Sequence, residues 1–460
     1  MDTFTTFILE HAGDDPARLL LSRDRWDGID IDLAVNTIQA RSRLARKLPS
    51  WHAVPSLTYP LPLAAEQCSS EETALHKASV AISLFAGQDV TVPAEDCLRR
   101  TLSTHGQNGR GPMEEGTAGP DRQREGRSEQ SERRVRGDNP CGKSLRIADL
   151  TGGMGVDSWA FAKAGAEVLY NEADGKLAEA ARHNFKELGI SNISVSNRKV
   201  EQGNVADILD GFSPDMIYLD PARRGDGGKR VFALEDCSPD LVAMKEELLG
   251  NARFVMAKIS PMADISRTVS LLGPHVREVH AVSSGGECKE ILVILDREYS
   301  GEPEIVAWQN GNGLRFTMEE EHRSSAVFPE ADRLSADTYP FLFRPGASLT
   351  KAGAFNLICS RFGLVKLAPS THLYFCGSPV GELEGLGRFH RISGIKEMTG
   401  KAVRETGKAY PQAEVTAKNI GMDGDALRKK LGCAGGGDTH IFGAKIEPSR
   451  GKAGKYLIIA

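Results

Sequence analysis

The chain has 460 residues, a net charge of −5, 40% hydrophobic residues and 26% charged residues, the composition of a globular protein. A single hydrophobic core does not usually grow to this size, so we expect two or three domains. No apolar run approaches the roughly 18 residues that suggest a membrane span. The eight cysteines include no C-x-x-C pair, which argues against a disulfide framework and against a zinc site.

The two ends of the sequence differ in charge. The N-terminal MDTFTTFILEHAGDD has no basic leader before its short apolar run, so we expect no signal peptide and a cytoplasmic protein. Residues 388–460 contain 14 Lys and Arg against 7 Asp and Glu, which leaves −12 on the rest of the chain. A basic end on an acidic protein indicates either a polyanion partner or a solvated lysine-rich face, and charge alone favours the second.

Residues 1–100 are predicted to form a helical N-terminal domain. The segment 30–48 places Ile38 and Leu44 on one helical stripe, and Ser69 with Glu72 has the spacing of a capping box before a second helix. Residues 101–143 contain no aromatic residue and no isoleucine. Such a segment buries too little apolar surface to offset the entropy of ordering, so we predict a disordered linker there.

Residues 144–300 alternate between strand-like and helix-like runs, beginning LRIADL, VDSWAFAKAG, EVLYNEA and DGKLAEAARHNFKELG. This alternation predicts an α/β fold with a Rossmann-like, doubly wound sheet. The last two strands, REVHAVSS and EILVILD, are separated only by GGECK, which is too short for a parallel crossover. We therefore predict a mostly parallel sheet with an antiparallel edge strand.

Two smaller regions are predicted after residue 300. Residues 301–385 begin with EIVAWQNGNGLRFTM, which indicates a hairpin around its Asn-Gly repeat, and continue as a ferredoxin-like α+β segment. Residues 386–460 end in a helix-like run, a glycine turn and two strand-like runs. We expect them to form a small basic α+β domain.

The glycines of TGGMGVD follow the first predicted strand of the sheet. Ligands of open α/β sheets bind at this carboxyl end, where glycines allow close approach to the backbone. The spacing is not the G-x-G-x-x-G of a dinucleotide site, and no Gly-Lys-Ser/Thr of a P-loop follows. About 20 residues later Glu172 ends the second strand, where an acid accepts hydrogen bonds from ribose hydroxyls.

A glycine loop with an acid, followed by an acid at the end of the second strand, is the pattern expected for S-adenosylmethionine (SAM). The alternative is a tight turn beside a solvated glutamate. No acid follows the third strand, so the contact to the adenine ring stays unassigned, with Asn197 as the candidate. The predicted cofactor-binding residues are Asp149, Thr151, Gly152, Gly153, Gly155, Asp157, Glu172 and Asn197.

The fourth strand ends in IYLDPARRGDGG, which places Asp220 at the same carboxyl edge of the sheet, followed by a proline and paired arginines. Asp220 is placed to accept a hydrogen bond from an attacking nitrogen or to deprotonate it, or else it caps the following turn. Arg223 and Arg224 would contact phosphates or stack on a base. Alternatively they pair with downstream acids, namely Glu235, Asp236 or Asp240.

Lys258, at the end of the fifth strand, is the remaining catalytic candidate, because the carboxyl ends of neighbouring parallel strands meet at one edge. It could contact a phosphate there. Cys237 and Cys288 invite a nucleophile interpretation, but buried inert thiols are the simpler one. We predict no metal site.

The sequence resembles the bacterial THUMP-like class I SAM-dependent methyltransferase family. The motifs that carry the resemblance cover nearly the whole chain outside the linker: AEQCSSEETA, ADLTGGMGVDS, ARHNFKELGI, YLDPARR, DCSPDL, KISPM, ECKEIL, KAGAFNLI and LRKKLGCAGGGDTHIFGAKI. The resemblance implies methyl transfer from SAM to a base in structured RNA, tRNA or rRNA, with residues 386–460 as a THUMP-like domain.

Two other functions stay open: a methyltransferase acting on a protein or small molecule, and a non-catalytic RNA-binding protein that retains the SAM fold. Enzymes that methylate exocyclic amines usually follow the proline after strand four with a second proline and an aromatic residue. Here Ala222 and Arg223 stand at those positions, which argues against simple amino-group methylation. The sequence does not indicate an oligomeric state.

Overall fold

The computed structural model of the chain describes residues 1–85, 90–91, 143–223, 234 and 237–460. The predicted linker lies outside the described residues except for its last position. The chain divides into two compact units. The first contains Met1–Ile147, Gly153–Tyr170 and Asp174–Val195, and the second contains Ala148–Gly152, Asn171–Ala173 and Ser196–Ala460.

The first unit begins with six helices, which agrees with the helical character predicted for this region. They are α1 (Thr3–Glu10), α2 (Pro16–Leu21), α3 (Ile31–Leu44), α4 (Pro49–His52), α5 (Pro62–Gln67) and α6 (Glu71–Phe85). The apolar stripe of α3 packs against α1 and α2 around Phe7, Leu19 and Ile38. The first turn of α6 is closed by Ser70, whose hydroxyl accepts from the backbone N–H of Thr73 at 3.2 Å.

Ten further helices follow in the part of the chain that the structure describes. They are α7 (Val156–Lys163), α8 (Gly175–Glu187), α9 (Val205–Leu209), α10 (Leu241–Asn251), α11 (Ile265–Leu272), α12 (Met318–Arg323), α13 (Ala347–Ala352), α14 (Leu357–Phe362), α15 (Gly400–Ala409) and α16 (Gly424–Leu431). No helix in the described ranges combines the length and the apolar character needed to cross a lipid bilayer.

The strands number twenty-one in the described residues. They are β1 (Val90–Thr91), β2 (Lys143–Ser144), β3 (Arg146–Asp149), β4 (Glu167–Asn171), β5 (Ile193–Ser196), β6 (Met216–Leu219), β7 (Ala222–Arg223), β8 (Cys237–Ser238), β9 (Phe254–Ile259), β10 (Val276–Ser284), β11 (Glu287–Asp296), β12 (Glu304–Gln309), β13 (Asn312–Thr317), β14 (Phe341–Pro345), β15 (Val365–Ala368), β16 (Thr371–Cys376), β17 (Gly387–Arg391), β18 (Gly394–Glu397), β19 (Glu414–Lys418), β20 (His440–Ile446) and β21 (Gly454–Ile459).

The largest sheet has the order β13-β12-β10-β11-β9-β6-β3-β4-β5, which confirms the doubly wound α/β fold. The predicted antiparallel strand is present, since β11 runs antiparallel to both β9 and β10. It lies inside the sheet rather than at its edge. The reason is that β11 is inserted between β9 and β10, and the predicted hairpin β12–β13 extends the sheet further beyond β10.

Two four-stranded sheets complete the second unit, with orders β15-β16-β14-β17 and β18-β21-β20-β19. Side chains of both sheets share one hydrophobic core, which includes Leu342 and Phe375 from the first and Phe442 and Ile458 from the second. Burial of these apolar groups holds the two sheets together. The α+β character predicted for both C-terminal regions is thus confirmed.

Three histidines of these two sheets make the stability of the second unit sensitive to acid. Burial, and secondarily neighbouring cations, lowers the pKa of His372, His390 and His440 to about 4 in each case. An unfolded histidine titrates near pH 6.5. Below that pH the unfolded chain takes up protons that the folded chain does not, so stability is fully present above pH 6.5 and is lost as pH falls toward 4.

We therefore expect the free energy of unfolding to decrease between pH 6.5 and pH 5 by roughly 1 kcal/mol for each histidine. The urea midpoint should fall accordingly. The triple variant H372Q/H390Q/H440Q should have a flatter dependence over the same interval, which lies above the usual range of carboxylate titration. A wild-type midpoint that stays constant between these two pH values would contradict the expectation.

Candidate functional site

Asp220 and Lys258 meet at the carboxyl edge of the large sheet. Strands β6 and β9 run parallel, with Leu219 opposite Ala257, so the next residue on each strand is brought to the same height. The ammonium group of Lys258 donates a hydrogen bond to the carboxylate of Asp220. The Lys258 side chain is 14% exposed and that of Asp220 is 35% exposed. The acid is thus partly accessible while its cation is largely covered.

A threonine hydroxyl connects this acid to the glycine loop. The backbone N–H of Asp220 donates to Oγ1 of Thr151 at 2.6 Å. The backbone N–H of Thr151 donates to Oδ1 of Asp149, at 3.2 Å, and Asp149 is fully buried. Three of the residues predicted to carry function therefore form one hydrogen-bonded series within the second unit.

Asn171 is a residue of this edge that the sequence reasoning missed. Its Nδ2 donates to the carbonyls of Leu150, at 3.0 Å, and Arg198, at 2.9 Å. Its Oδ1 accepts from the backbone N–H of Arg198 at 3.0 Å, and its own carbonyl accepts from Gly152 at 2.8 Å. The side chain is completely buried. The available signal was an amide residue at the end of an otherwise apolar strand.

Glu172 and Asn197 lie on adjacent turns at the same edge. Nδ2 of Asn197 donates to the carbonyl of Glu172 at 2.6 Å and to that of Ala173 at 3.2 Å. The backbone N–H of Glu172 donates to the carbonyl of Ser196 at 3.2 Å. Asn197 thus supports the turn that presents Glu172. Its contact with an adenine ring stays a prediction.

The first unit contains the remaining glycines of the loop. Gly155 precedes α7 with φ of +83°, and a Cβ there would lie 2.5 Å from Cζ of Phe185. Both the left-handed backbone and the aromatic ring therefore require glycine at this position. Gly153 also has a positive φ of +54°, and its carbonyl accepts from the hydroxyl of Tyr170 at 2.5 Å.

Asp157 lies in a buried polar cluster with two residues that precede the linker. Nζ of Lys77 is 3.1 Å from Oδ1 of Asp157, and the Ser69 hydroxyl donates to Oδ2 at 2.9 Å. Nζ of Lys77 also donates to the Ser69 hydroxyl at 2.8 Å. These contacts explain why Ser69 does not close the first turn of α6 as predicted. They give Asp157 a structural role that joins α6 to α7, and its binding to a cofactor stays a prediction.

The two arginines after the fourth strand are only partly covered by the structure. Arg223 belongs to β7, whose backbone pairs with β8, but its side chain and all of Arg224 lie outside the described residues. Of their three possible acidic partners, Asp240 caps α10 by accepting from the backbone N–H groups of Val242 and Ala243, at 3.0 and 3.1 Å.

The described residues do not support a cysteine nucleophile or a metal site. Burial raises the pKa of the Cys288 thiol, which disfavours the thiolate that a nucleophile needs. Across the described part of the chain, no three His, Cys, Asp or Glu side chains are grouped so that they could hold a metal ion. The chemistry available at the sheet edge is therefore that of a carboxylate, an ammonium group and bare backbone.

Two family models match the C-terminal half of the second unit. Residues 341–382 match a ferredoxin-like domain, and residues 387–459 match a THUMP domain-like family. No curated protein matches the sequence significantly.

Along its whole length the chain is similar to the crystal structure of a predicted methyltransferase from Porphyromonas gingivalis W83. The two are 27% identical with a TM-score of 0.73, and the match covers 99% of this chain and 96% of that one. A SAM-dependent methyltransferase from Agrobacterium tumefaciens is 26% identical over 28% of this chain and 43% of its own, with a TM-score of 0.23. The human methyltransferase 10 domain containing protein is 13% identical. The match covers 61% of this chain and 98% of that one, with a TM-score of 0.33. The last two TM-scores are too low to carry an argument.

Proposed function

From the premise that this chain is a THUMP-like class I methyltransferase by fold and domain content, we propose that it transfers a methyl group from SAM to a base in structured RNA, tRNA or rRNA. The observation that carries the proposal is the position of Asp220. It contacts Lys258 and is connected through Thr151 to the glycine loop. An acid on the acceptor side is thereby held at a fixed position relative to the loop on the cofactor side.

The residues at the sheet edge fit SAM. Glu172 is partly exposed on the turn after β4 and suits the ribose hydroxyls, while Asp149 and the backbone of the glycine loop suit the amino acid moiety. Within the second unit, the turn at Gly152 is held against β4 by its N–H, which donates to the carbonyl of Asn171 at 2.8 Å, so this part of the backbone is fixed before a ligand binds. When bound, SAM supplies a methyl group activated by its sulfonium centre.

The protein's part in the reaction is then positioning and proton handling. Asp220 accepts a hydrogen bond from the N–H of the acceptor base and takes its proton as the nitrogen is alkylated. Lys258 fixes the orientation of the carboxylate by its own hydrogen bond. Holding acceptor and donor in line supplies most of the rate enhancement that a reaction of this kind needs.

The C-terminal half supports RNA as the substrate. The THUMP-like match at residues 387–459 coincides with the basic segment that contains 14 Lys and Arg against 7 Asp and Glu. Structured RNA is recognised mainly through its phosphates and its shape, which suits a basic domain placed after a catalytic one.

The test is mass spectrometry of RNA nucleosides from a deletion strain and its parent. We expect one methylated nucleoside to be missing from the deletion strain, and the purified protein with SAM to restore it on that RNA. Calorimetry on the same protein should show SAM binding. Binding of SAM without methylation of RNA would support the non-catalytic alternative. Transfer of a labelled methyl group from SAM to a protein fraction would support a methyltransferase that acts on protein.

A further inference from the structure

Two arginines lie directly opposite each other where the two C-terminal family matches meet. Arg344 belongs to β14, within the ferredoxin-like match, and Arg388 belongs to β17, within the THUMP-like match. The strands are antiparallel neighbours, and their register pairs Arg344 with Arg388. Opposed residues of an antiparallel pair project from the same face of the sheet. Two guanidinium groups therefore emerge side by side.

This arginine pair has no counter-ion in the part of the chain that the structure describes. Neither guanidinium forms an ion pair or a side-chain hydrogen bond there. Two arginines elsewhere in the second unit show the usual arrangement: Arg361 pairs with Glu320 at 3.0 Å and Arg428 pairs with Asp425 at 2.7 Å. Like charges directly opposite on neighbouring strands destabilise a sheet, so the folded protein alone does not account for this pair.

A histidine continues the same face of the sheet. The register places His390 opposite Leu342. His390 is two residues from Arg388 on β17, and Leu342 is two residues from Arg344 on β14. The His390 ring lies 5.1 Å from that of His440, and Nε2 of His390 is buried without a hydrogen-bond partner among the described residues. Burial first, and then Arg344 and Arg388, lowers the pKa of His390 to about 4. The imidazole is therefore neutral at pH 7, and its pKa is sensitive to the charge of the two arginines.

We propose that Arg344 and Arg388 form a phosphate-binding site for the backbone of the RNA substrate, with His390 as a buried neighbour that responds to its charge. The inference rests on the proposed function and names the surface that it requires. A guanidinium presents a planar set of N–H donors that matches a phosphate group and stays charged at every working pH. Two of them side by side provide the paired N–H donors and the positive charge that a phosphodiester needs, and no carboxylate of the described residues occupies them.

The test uses the full-length protein and labelled total tRNA, with binding measured by fluorescence anisotropy over a salt series. For R344A/R388A we expect affinity at low salt to fall at least tenfold. The slope of log affinity against log salt concentration is negative. Its magnitude should decrease by about 1 to 2, since each phosphate contact contributes roughly 0.7 to 0.9 to it. The control variant R361A removes an arginine that lies outside the basic segment and is already paired with Glu320, and it should stay within about twofold of wild type.

Two further measurements separate a binding role from a structural one. Without RNA, R344A/R388A should unfold at a temperature equal to or above that of wild type, because the change relieves repulsion between like charges. Titration of the imidazole signals by NMR should show that RNA raises the pKa of His390, since a phosphate favours the charged ring. A lower unfolding temperature together with an unmoved histidine would overturn the site.

The outcomes also distinguish this inference from the proposed function. If wild-type protein binds no RNA, the proposed function fails. If wild type binds RNA and R344A/R388A binds it equally well, the phosphate site fails while the proposed function stands. A site for free anions is tested with pyrophosphate: tight binding that R344A/R388A abolishes, without any change in RNA affinity, would also overturn the inference.

Discussion

Asp220→Asn should lower the rate of methyl transfer by about 10²- to 10⁴-fold, the usual contribution of a positioned general base. Asparagine keeps the backbone N–H that donates to Thr151, so the connection to the glycine loop is retained. SAM affinity should therefore stay close to that of wild type. Single-turnover rates with saturating RNA and SAM, together with calorimetry for SAM, measure both quantities.

The matched control for this variant is Asp423→Asn. Asp423 caps α16 by accepting from the backbone N–H of Ala426 at 2.8 Å, and asparagine caps a helix about as well. Its rate and stability should be unchanged. If Asp220→Asn lost SAM affinity and rate in equal measure, Asp220 would belong to the cofactor side, and the division of roles between this acid and the glycine loop would be wrong.

Lys77→Met should lower the free energy of unfolding by about 3 to 5 kcal/mol, the usual cost of breaking a buried ion pair. The Lys77 side chain is fully buried and that of Asp157 is 10% exposed. Methionine fills similar space but leaves a buried carboxylate without its cation. The Ser69 hydroxyl, which donates to the same carboxylate, moderates the loss toward the lower figure. Urea denaturation at pH 7 provides the measurement.

Lys401→Met serves as the exposed counterpart. Lys401 pairs with Glu405 at 3.8 Å on the surface of α15, with side chains 81% and 56% exposed, and such pairs contribute at most about 1 kcal/mol. Adding Asp157→Asn to Lys77→Met should recover part of the lost stability, because the buried carboxylate that had lost the Lys77 ammonium group is then replaced by a neutral amide. A Lys77→Met variant as stable as Lys401→Met would show that the buried pair contributes little.

Much of the large sheet and its edge could be predicted because local patterns determine them. Alternating strand-like and helix-like runs imply parallel strands, and parallel strands bring their carboxyl ends to one edge. Asp220 and Lys258 each end such a run, and the register of β6 and β9 places them in contact. Their meeting follows from strand endings alone, without knowledge of any distant contact.

The two predictions that were wrong, the edge position of β11 and the capping role of Ser69, failed because both depend on contacts between distant segments that no local pattern encodes. The short GGECK connection predicted an antiparallel strand but not its neighbours, so β11 was expected at the edge although β10, β12 and β13 lie beyond it. Ser69 fitted a capping box by spacing, yet Asp157 engages its hydroxyl. In each case tertiary pairing determines the outcome, and the order of residues along one segment does not reveal it.

The network around Asn171 affects how a ligand would bind at this edge. The buried side-chain amide of Asn171 fastens the segments at Leu150 and Arg198, and its backbone carbonyl fastens Gly152. The conformational entropy of these segments is therefore lost when the chain folds and not when a ligand arrives. Preorganisation of this kind lowers the entropic penalty of association. Binding at the edge should then be fast and should change the heat capacity by little more than the apolar area that the ligand itself covers.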